Sequence, residues 1–303
     1  MSETNFSNGI SSLVIVGCGN IGRRIIGRLK PAELPLFALM RSADTVRFCR
    51  ERGVLPLQVD LDNLIDMQIQ DLPDGAAVIY LAPPPRQGTT DTRLEGFLRL
   101  AGHRVERLVL ISTTGVYGDC GGSWIDESQA PAPATDRARR RLDAENQVRR
   151  WATNHDRGYV ILRVPGIYAE DRLPLARLQR GEAMIENAAS PFTNRIHAED
   201  LARICISALS KTDSRLLLNA SDGHPTTMTE YFNRVADAVG LDRPPVIDRD
   251  SAFKTLSPGM LSYLAESRRI DNRRLLRALD IELEYPSLDD TLRLLSGPAF
   301  RQS

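Results

Sequence analysis

SLVIVGCGNIG, residues 12–22, is the stretch that decides the fold, because it joins a strand-length apolar run to a glycine-rich turn. A helical pattern over 23–29 follows without a break. When a G-x-G-x-x-G turn joins a strand to a helix, its first glycine permits the tight turn and its second lets the backbone approach a pyrophosphate. The third lets the helix pack on the strand, and the helix start favours phosphate. The stretch therefore predicts a dinucleotide site made by Gly17, Cys18, Gly19, Asn20, Ile21 and Gly22.

The charge balance and the cysteines argue against several classes of protein. The 303 residues carry 39 basic and 39 acidic side chains, so no global field would attract nucleic acid or an anionic membrane. The four cysteines are scattered and form no C-x-x-C pair, which predicts neither a zinc site nor a disulfide framework. Because we find no signal-peptide pattern and no apolar run of membrane-spanning length, we expect a cytoplasmic protein. The sequence does not distinguish a monomer from a homodimer.

Apolar runs of strand length alternate with helical patterns through the first two thirds of the chain. This alternation is typical of βαβ units and predicts an α/β, Rossmann-type doubly wound parallel sheet. We expect an NAD(P)-binding domain over residues 1–164 and a small mixed α/β substrate-side lobe over 165–303, within which 195–220 returns to the first domain. The predicted strands are 13–16, 36–40, 55–59, 76–82, 107–112, 159–163 and 216–220. The predicted helices are 45–52, 91–102, 136–153, 198–209 and 227–239.

The ends of the second to fourth strands supply further cofactor candidates. Arg41 and Ser42 stand where an NAD-selective fold places an acidic residue, and a guanidinium beside a hydroxyl suits the 2′-phosphate of NADP. We therefore expect NADP, with NAD also possible, unless Arg41 is only a solvated loop residue. Asp60 either accepts a hydrogen bond from the adenine amino group or caps a turn. The other candidates along the dinucleotide are Leu61, Ala82 and Pro83.

Three later segments follow one another in a fixed order: ISTTGVYGD at 111–119, LRVPGIY at 162–168 and NRIHAEDLA at 194–202. In this order they resemble the extended short-chain dehydrogenase/reductase family, which includes nucleotide-sugar epimerases and dehydratases. The glycine spacing departs from the family's commoner G-x-x-G-x-x-G. The resemblance is therefore to an atypical branch of NAD-dependent epimerase/dehydratase-like proteins.

The resemblance implies a catalytic set that this chain only partly carries. Thr113 matches the residue that binds the substrate oxygen. The family's Tyr-x-x-x-Lys dyad falls on Arg137 and Arg141, and no lysine lies between residues 31 and 210. Arginine stays protonated near neutrality, so it cannot act as the general acid or base. Arg141 can still hold the ribose hydroxyls or an oxyanion, or else it lies on a solvated helix face.

Other residues are candidates for the tasks that the missing dyad leaves open. Tyr117 and Tyr168 follow strand ends on the ligand edge, and either is a candidate proton donor or a packed aromatic residue. Glu127, Tyr168 and Arg195 are expected on the substrate side, where Arg195 would bind an anionic group. Two functions follow. One is an NAD(P)-dependent oxidoreductase or epimerase/dehydratase-like enzyme for a small polar, sugar-derived substrate; the alternative is a catalytically inactive dinucleotide-binding sensor or scaffold.

Overall fold

Seven parallel strands form the central sheet of the computed structural model, in which residues 10–295 are described apart from 30–33, 212–213, 257–260 and 262–263. The order across the sheet is β7-β6-β5-β4-β1-β2-β3, and every neighbouring pair is parallel. The predicted doubly wound sheet is therefore confirmed. The strands are β1 (Ser12–Val16), β2 (Leu36–Met40), β3 (Leu55–Gln58), β4 (Ala76–Tyr80), β5 (Val105–Thr113), β6 (Gly158–Val164) and β7 (Arg215–Asn219).

Helices cover both faces of this sheet, which is why β1, β2 and β4 are nearly continuous apolar runs rather than alternating ones. One apolar core lies beneath α1 and α6, and the other lies beneath α3 and α4. The helices are α1 (Asn20–Arg28), α2 (Ala43–Arg50), α3 (Thr92–Ala101), α4 (Asp136–His155), α5 (Leu175–Gln179), α6 (Ala198–Leu209), α7 (Met228–Val239), α8 (Arg249–Thr255), α9 (Arg273–Leu279) and α10 (Leu288–Leu295).

Two boundaries show how local chemistry sets the length of an element. The fourth strand is predicted to run to Ala82, but β4 ends at Tyr80 because Pro83 and the two prolines after it lack the N–H donors that a ladder needs. Helix α4 runs two residues beyond its predicted end. It stops at Asp156, whose φ of 51° is left-handed and whose N–H bonds back to Ala152.

The segments outside the sheet form short strand pairs and a third apolar core. This core joins α5, α7 and α10 through residues that include Leu178, Phe232, Val235 and Leu292. No helix within the described ranges is both long and apolar enough to cross a membrane. The strand pairs are Gly166–Tyr168 with Arg195–His197, Phe192–Thr193 with Thr226–Thr227, Met184–Ile185 with Val246–Ile247, and Trp124–Ile125 with Arg269–Ile270.

A buried polar cluster fixes α4 against the carboxyl ends of β5 and β6. Glu145, on α4, is fully buried and accepts both a 2.7 Å bond from the Ser112 hydroxyl and a two-pronged bond from Arg163, at 3.0 and 2.8 Å. The Arg163 side chain is only 2% exposed. Charge-assisted, two-pronged pairs of this kind have a defined geometry. The cluster therefore sets where α4 presents its first turns to the edge of the sheet.

Candidate functional site

The three glycines of the loop occupy three different environments. Gly17 has a φ of +94°, and a Cβ there would lie 2.7 Å from the backbone nitrogen of Ala82. A Cβ on Gly22 would lie 3.2 Å from the Gly17 carbonyl oxygen and 3.3 Å from Ile15, so this glycine lets α1 approach β1. A Cβ on Gly19 would meet nothing within 4 Å. This open side, at the start of α1, fits a dinucleotide pyrophosphate, which needs close access to backbone N–H groups.

The side chains within the loop serve mainly to pack and anchor it. The Cys18 thiol is buried 3.9 Å from the Cys49 sulfur, and burial raises its pKa to about 12, so it is an unreactive packed thiol. The Ile21 side chain packs against the first core. Asn20 accepts a 3.2 Å bond from Arg24 and donates a 3.4 Å bond to Asp171. The loop is thus held from behind while Gly19 is exposed.

Two arginines flank the start of α2, where β2 ends. Arg41 and Ser42 are exposed there, and the Arg41 carbonyl accepts a 3.1 Å bond from a glutamine of β3. Arg23, one residue after the third glycine, reaches across to donate a 3.1 Å bond to Thr45 in the first turn of α2. Its guanidinium carbon lies 4.9 Å from the Phe48 ring centroid. We did not predict Arg23, although its place directly after the loop was visible in the sequence.

The segment after β3 is tied to α3 and to the segment after β4. Both carboxylate oxygens of Asp60 accept hydrogen bonds from the residues two and three positions ahead, at 3.1 and 3.2 Å, as a turn cap does. The carboxylate of Asp62 binds Arg93 at 2.6 Å, and Arg93 donates a 3.0 Å bond to the Pro83 carbonyl. Leu61 is half-buried against the second core. These contacts hold Asp60, Leu61 and Pro83, all predicted to lie along the dinucleotide, at one edge of the sheet.

A cavity of about 580 Å³ opens beyond the carboxyl ends of β5 and β6, and Arg137 and Arg141, on which the family resemblance places the dyad, line it. Thr113, the last residue of β5, lines this cavity, and its hydroxyl oxygen accepts a 3.2 Å bond from the Gly115 N–H. Arg141 is partly buried and donates to the carbonyls of Ala82, at 3.3 Å, and Ile111, at 3.0 Å. Burial lowers the pKa of Arg141, but a guanidinium remains cationic near neutrality. The charged lining residues are Arg137, Arg141, Arg177, Arg195, Arg268 and Glu266.

Two of the predicted catalytic and substrate-side residues, Tyr117 and Glu127, do not line this cavity. Tyr117 is fully buried and donates a 2.8 Å bond to the Asn219 side chain, while the Arg163 guanidinium carbon lies 4.5 Å from its ring centroid. Burial raises the pKa of the Tyr117 hydroxyl. Glu127 accepts a 2.7 Å bond from the backbone N–H of Asn219. In this structure both side chains anchor the end of β7.

The other two predicted substrate-side residues do line the cavity. Tyr168 is buried, and burial raises the pKa of its hydroxyl. Its ring packs edge-on against His197, with centroids 5.2 Å apart. His197 stacks on Tyr285 and accepts a 3.3 Å bond from the Glu199 N–H, so it caps α6 rather than facing the cavity.

Arg195 is the most enclosed cation of the lining. It donates 2.7 Å bonds to the hydroxyls of Thr193 and Thr226, and its guanidinium carbon lies 3.7 Å from the Tyr231 ring centroid. Tyr231 and Arg268 also line the cavity, and we predicted neither of them. They follow no motif in the sequence, and they reach the cavity only because the lobe folds back over the sheet edge.

Within the described residues, no group of three or more His, Cys, Asp or Glu side chains could hold a metal ion. The site therefore consists of a glycine loop, two arginines near α2, and a cavity rich in arginine. Its chemistry is suited to phosphate groups and other anions, because guanidinium groups bind such oxygens through a planar fork.

Comparisons with known proteins agree with this geometry. The model of a family described as NAD(P)H-binding matches residues 17–212, more than half of the chain. Protein YeeZ of Escherichia coli (strain K12) is 25% identical over 287 residues, which cover 91% of this chain and 97% of YeeZ. The chain is thus similar to this bacterial protein over almost its whole length.

Solved structures share the fold. A functionally unknown conserved protein from Silicibacter pomeroyi DSS has a TM-score of 0.80 at 26% identity, covering 97% of this chain and 100% of its own. UDP-N-acetylglucosamine 4-epimerase from Methanobrevibacter ruminantium M1, in complex with UDP-N-acetylmuramic acid, has a TM-score of 0.74 at 16% identity, covering 98% of this chain and 100% of its own. The predicted epimerase/dehydratase-like fold and the NAD(P)-binding class are confirmed.

Proposed function

The chain belongs to the NAD(P)H-binding family, and from this premise we propose that it is an NADP-dependent oxidoreductase or epimerase/dehydratase-like enzyme acting on a small polar, sugar-derived substrate. One observation carries the proposal: the glycine loop and the cavity, which Thr113 and Arg141 line, lie along the same edge of the sheet, and Arg141 donates to the carbonyl of Ala82 beside Gly17. Ligands of open α/β sheets bind outside the carboxyl ends of the strands. The likeness to a 4-epimerase supports a sugar-derived substrate.

The cofactor part of the proposal rests on Arg41 and Arg23. Within the described ranges, neither arginine has a carboxylate oxygen at ion-pair distance. Both lie near the start of α2, where Ser42 and the helix N-terminus add donors. A 2′-phosphate there would gain charge-assisted hydrogen bonds that a ribose hydroxyl would not. We therefore favour NADP over NAD, with Asp60, Leu61, Ala82 and Pro83 along the rest of the dinucleotide.

Fluorescence titration with NADPH and with NADH tests this preference. Arg41→Ala and Arg23→Gln should each weaken NADPH binding about ten-fold and leave NADH binding unchanged, since one charge-assisted bond is worth roughly 1.5–3 kcal/mol. Arg47→Gln is the matched control, because Arg47 is exposed on α2 and pairs with Asp44 at 3.5 Å. Equal affinities of the unmodified protein for the two dinucleotides would remove the NADP preference.

The residues near the strand ends define the chemistry that we propose. A bound nicotinamide supplies the hydride donor or acceptor. Thr113 would bind the reacting oxygen, and Arg141 would hold the ribose hydroxyls and stabilise negative charge on that oxygen. The proton would come from Tyr168, which lines the cavity, in preference to Tyr117, whose hydroxyl is engaged by Asn219. Arg195 completes the proposed substrate side, while Glu127 anchors the end of β7.

The replaced dyad is the observation that favours the second candidate function, a dinucleotide-binding sensor. The two functions are separated by incubating the protein with NADP and a panel of nucleotide sugars and recording cofactor reduction or sugar conversion. Turnover that is lost in Thr113→Val with unchanged NADPH affinity supports the enzyme; NADPH binding without any turnover supports the sensor. In either function we propose residues 1–164 as the cofactor domain and 165–303 as the substrate-side lobe, with 195–220 returning to the cofactor domain.

A further inference from the structure

We propose that the Asp171 carboxylate of the lobe opposes dinucleotide binding at the glycine loop, and that a bound pyrophosphate in turn loosens the contact between the lobe and α1. The inference goes beyond the proposed function, because it concerns the control of cofactor binding rather than the reaction. It rests on the proposed function only in placing the dinucleotide at the loop.

The Asp171 carboxylate lies beside the start of α1. Asp171 belongs to a short 3₁₀ helix, Glu170–Arg172, in the segment that follows the lobe strand ending at Tyr168. Its carboxylate accepts a 3.4 Å bond from the side-chain amide of Asn20, the first residue of α1, and a 2.9 Å bond from Arg24, one turn later. Arg24 also donates a 3.2 Å bond to the Asn20 side-chain oxygen. The three side chains thus form a closed ring that ties the lobe to the helix of the glycine loop.

The ion network around this ring carries more negative than positive charge. Among the described residues it joins three arginines to four carboxylates: Arg24, Arg28 and Arg203 with Asp171, Glu199, Asp200 and Glu284. The Arg24 guanidinium binds Glu199 as well as Asp171, so one cation is shared between two carboxylates. The charge of Asp171, beside the loop, is therefore only partly neutralised.

Asp171 and a bound pyrophosphate would share the same positive helix end. The start of a helix attracts carboxylates and phosphates alike, because its first N–H groups have no partner within the helix. A pyrophosphate on the glycine loop brings negative charge close to Asn20, and this charge and the Asp171 carboxylate repel each other. Coupling of this kind is reciprocal. The contact that opposes the dinucleotide is therefore weakened when the dinucleotide binds.

The segment that Asp171 anchors borders the cavity. Tyr168 and Pro174, on either side of residues 169–173, both line it. A change in the contact between this segment and α1 would therefore reach the cavity wall. In this way the lobe would respond to the cofactor without touching it.

A purely structural role does not require the Asp171 carboxylate. Helices α1 and α6 already pack through the first apolar core, and Arg24 and Arg28 both bind Glu199 of α6. The Asp171 side chain is 58% exposed, and exposed ion pairs contribute little to stability. Its removal should therefore leave the fold intact and change mainly the electrostatic potential at the loop.

Fluorescence titration of Asp171→Asn with NADPH and with NADH tests the repulsion. We expect the variant to bind both dinucleotides about three-fold more tightly than the unmodified protein, because the pyrophosphate is common to the two. This gain should shrink when salt is raised from about 0.1 M to about 1 M, since the screening length falls from about 10 Å to about 3 Å. Glu284→Gln is the matched control. It removes a carboxylate of the same network that pairs with Arg28 and Arg203, and it should change either affinity less than about 1.5-fold.

Hydrogen–deuterium exchange tests the reciprocal step. Addition of NADPH should raise the exchange of the amides of residues 169–173 in the unmodified protein and in Glu284→Gln. In Asp171→Asn these amides should exchange faster without the cofactor and respond little to it.

Several results would overturn the proposal. One is a gain in Asp171→Asn below about two-fold, or one that Glu284→Gln matches or that is equal at both salt concentrations. Another is a gain for NADPH alone, which would place the effect at the 2′-phosphate. A third is exchange over residues 169–173 that NADPH lowers or leaves unchanged in the unmodified protein; this measurement decides should Asp171→Asn fail to fold by circular dichroism. If the unmodified protein binds neither dinucleotide, the cofactor part of the proposed function fails, which is distinct from binding that Asp171→Asn does not change.

Discussion

Alanine substitutions at Gly17 and Gly19 should separate folding from cofactor binding within a single loop. At Gly17, an alanine would adopt a φ of +94° and place its Cβ 2.7 Å from the Ala82 nitrogen. Left-handed backbone costs an L-residue about 1–2 kcal/mol, and displacing backbone in a packed site costs about 1–3 kcal/mol more. We therefore expect Gly17→Ala to lower the free energy of unfolding by about 2–5 kcal/mol.

Gly19→Ala should behave in the opposite way. Its φ is −85°, and nothing lies within 4 Å of the added Cβ. The loss of a glycine at the helix cap and the gain from restricting the unfolded chain are each below about 1 kcal/mol and oppose one another. Stability should therefore change by less than about 1 kcal/mol. NADPH affinity should fall at least about ten-fold, because the methyl group enters the space expected for the pyrophosphate.

Urea denaturation without cofactor gives the two free energies, and NADPH fluorescence titration gives the two affinities. The reasoning about the loop is refuted if Gly19→Ala is as destabilised as Gly17→Ala, since the open space would then not exist in solution. It is also refuted if Gly19→Ala binds NADPH as tightly as the unmodified protein.

Two further predictions concern buried charges. Glu145→Gln should lower the free energy of unfolding by about 3–5 kcal/mol, because it leaves the Arg163 cation buried without its partner. The control is Glu182→Gln, which removes an exposed pair with Arg180 and should cost less than about 1 kcal/mol in the same urea experiment. Burial raises the pKa of Asp222 from its ordinary value of 3.8 to about 7. The stability that the protonated carboxyl group contributes is therefore complete below the lower pKa and is lost as the pH rises through the higher one. Between about pH 5 and about pH 8, the free energy of unfolding should fall by about 3 kcal/mol more in the unmodified protein than in Asp222→Asn. An equal pH dependence in the two proteins would contradict the burial of the Asp222 carboxyl group.

The parts of the fold that the sequence predicted are those set by neighbouring residues. β2 and α6 lie at the predicted positions, because an apolar run or an apolar stripe fixes each of them locally. The G-x-G-x-x-G spacing likewise assigned a different environment to each glycine before the structure was known. Such features need no knowledge of what lies opposite in space.

The placement of the aromatic and charged side chains could not be predicted in the same way. Tyr117 follows a strand at the ligand edge, yet its hydroxyl is engaged by Asn219, which lies 102 residues further along the chain. The pair of Arg195 and Tyr231 forms only when the start of α7 packs against a short strand of the lobe. No periodic pattern encodes either contact, because each depends on how separate segments meet.

Arg137 and Arg141, on which the family resemblance places the dyad, would change how the cavity stabilises a reaction. A tyrosine and lysine pair transfers a proton, and losing such general acid catalysis costs about 10²–10⁴-fold. Guanidinium groups cannot replace that step, but they stabilise developing negative charge without any change of protonation. Arg141 is already oriented by the carbonyls of Ala82 and Ile111, at the ends of two central strands, so little reorganisation would accompany this stabilisation. With Arg195 at the lobe end, the cavity combines fixed positive charge with few titratable donors. This combination suits an anionic substrate and a hydride step whose proton comes from a separate group such as Tyr168.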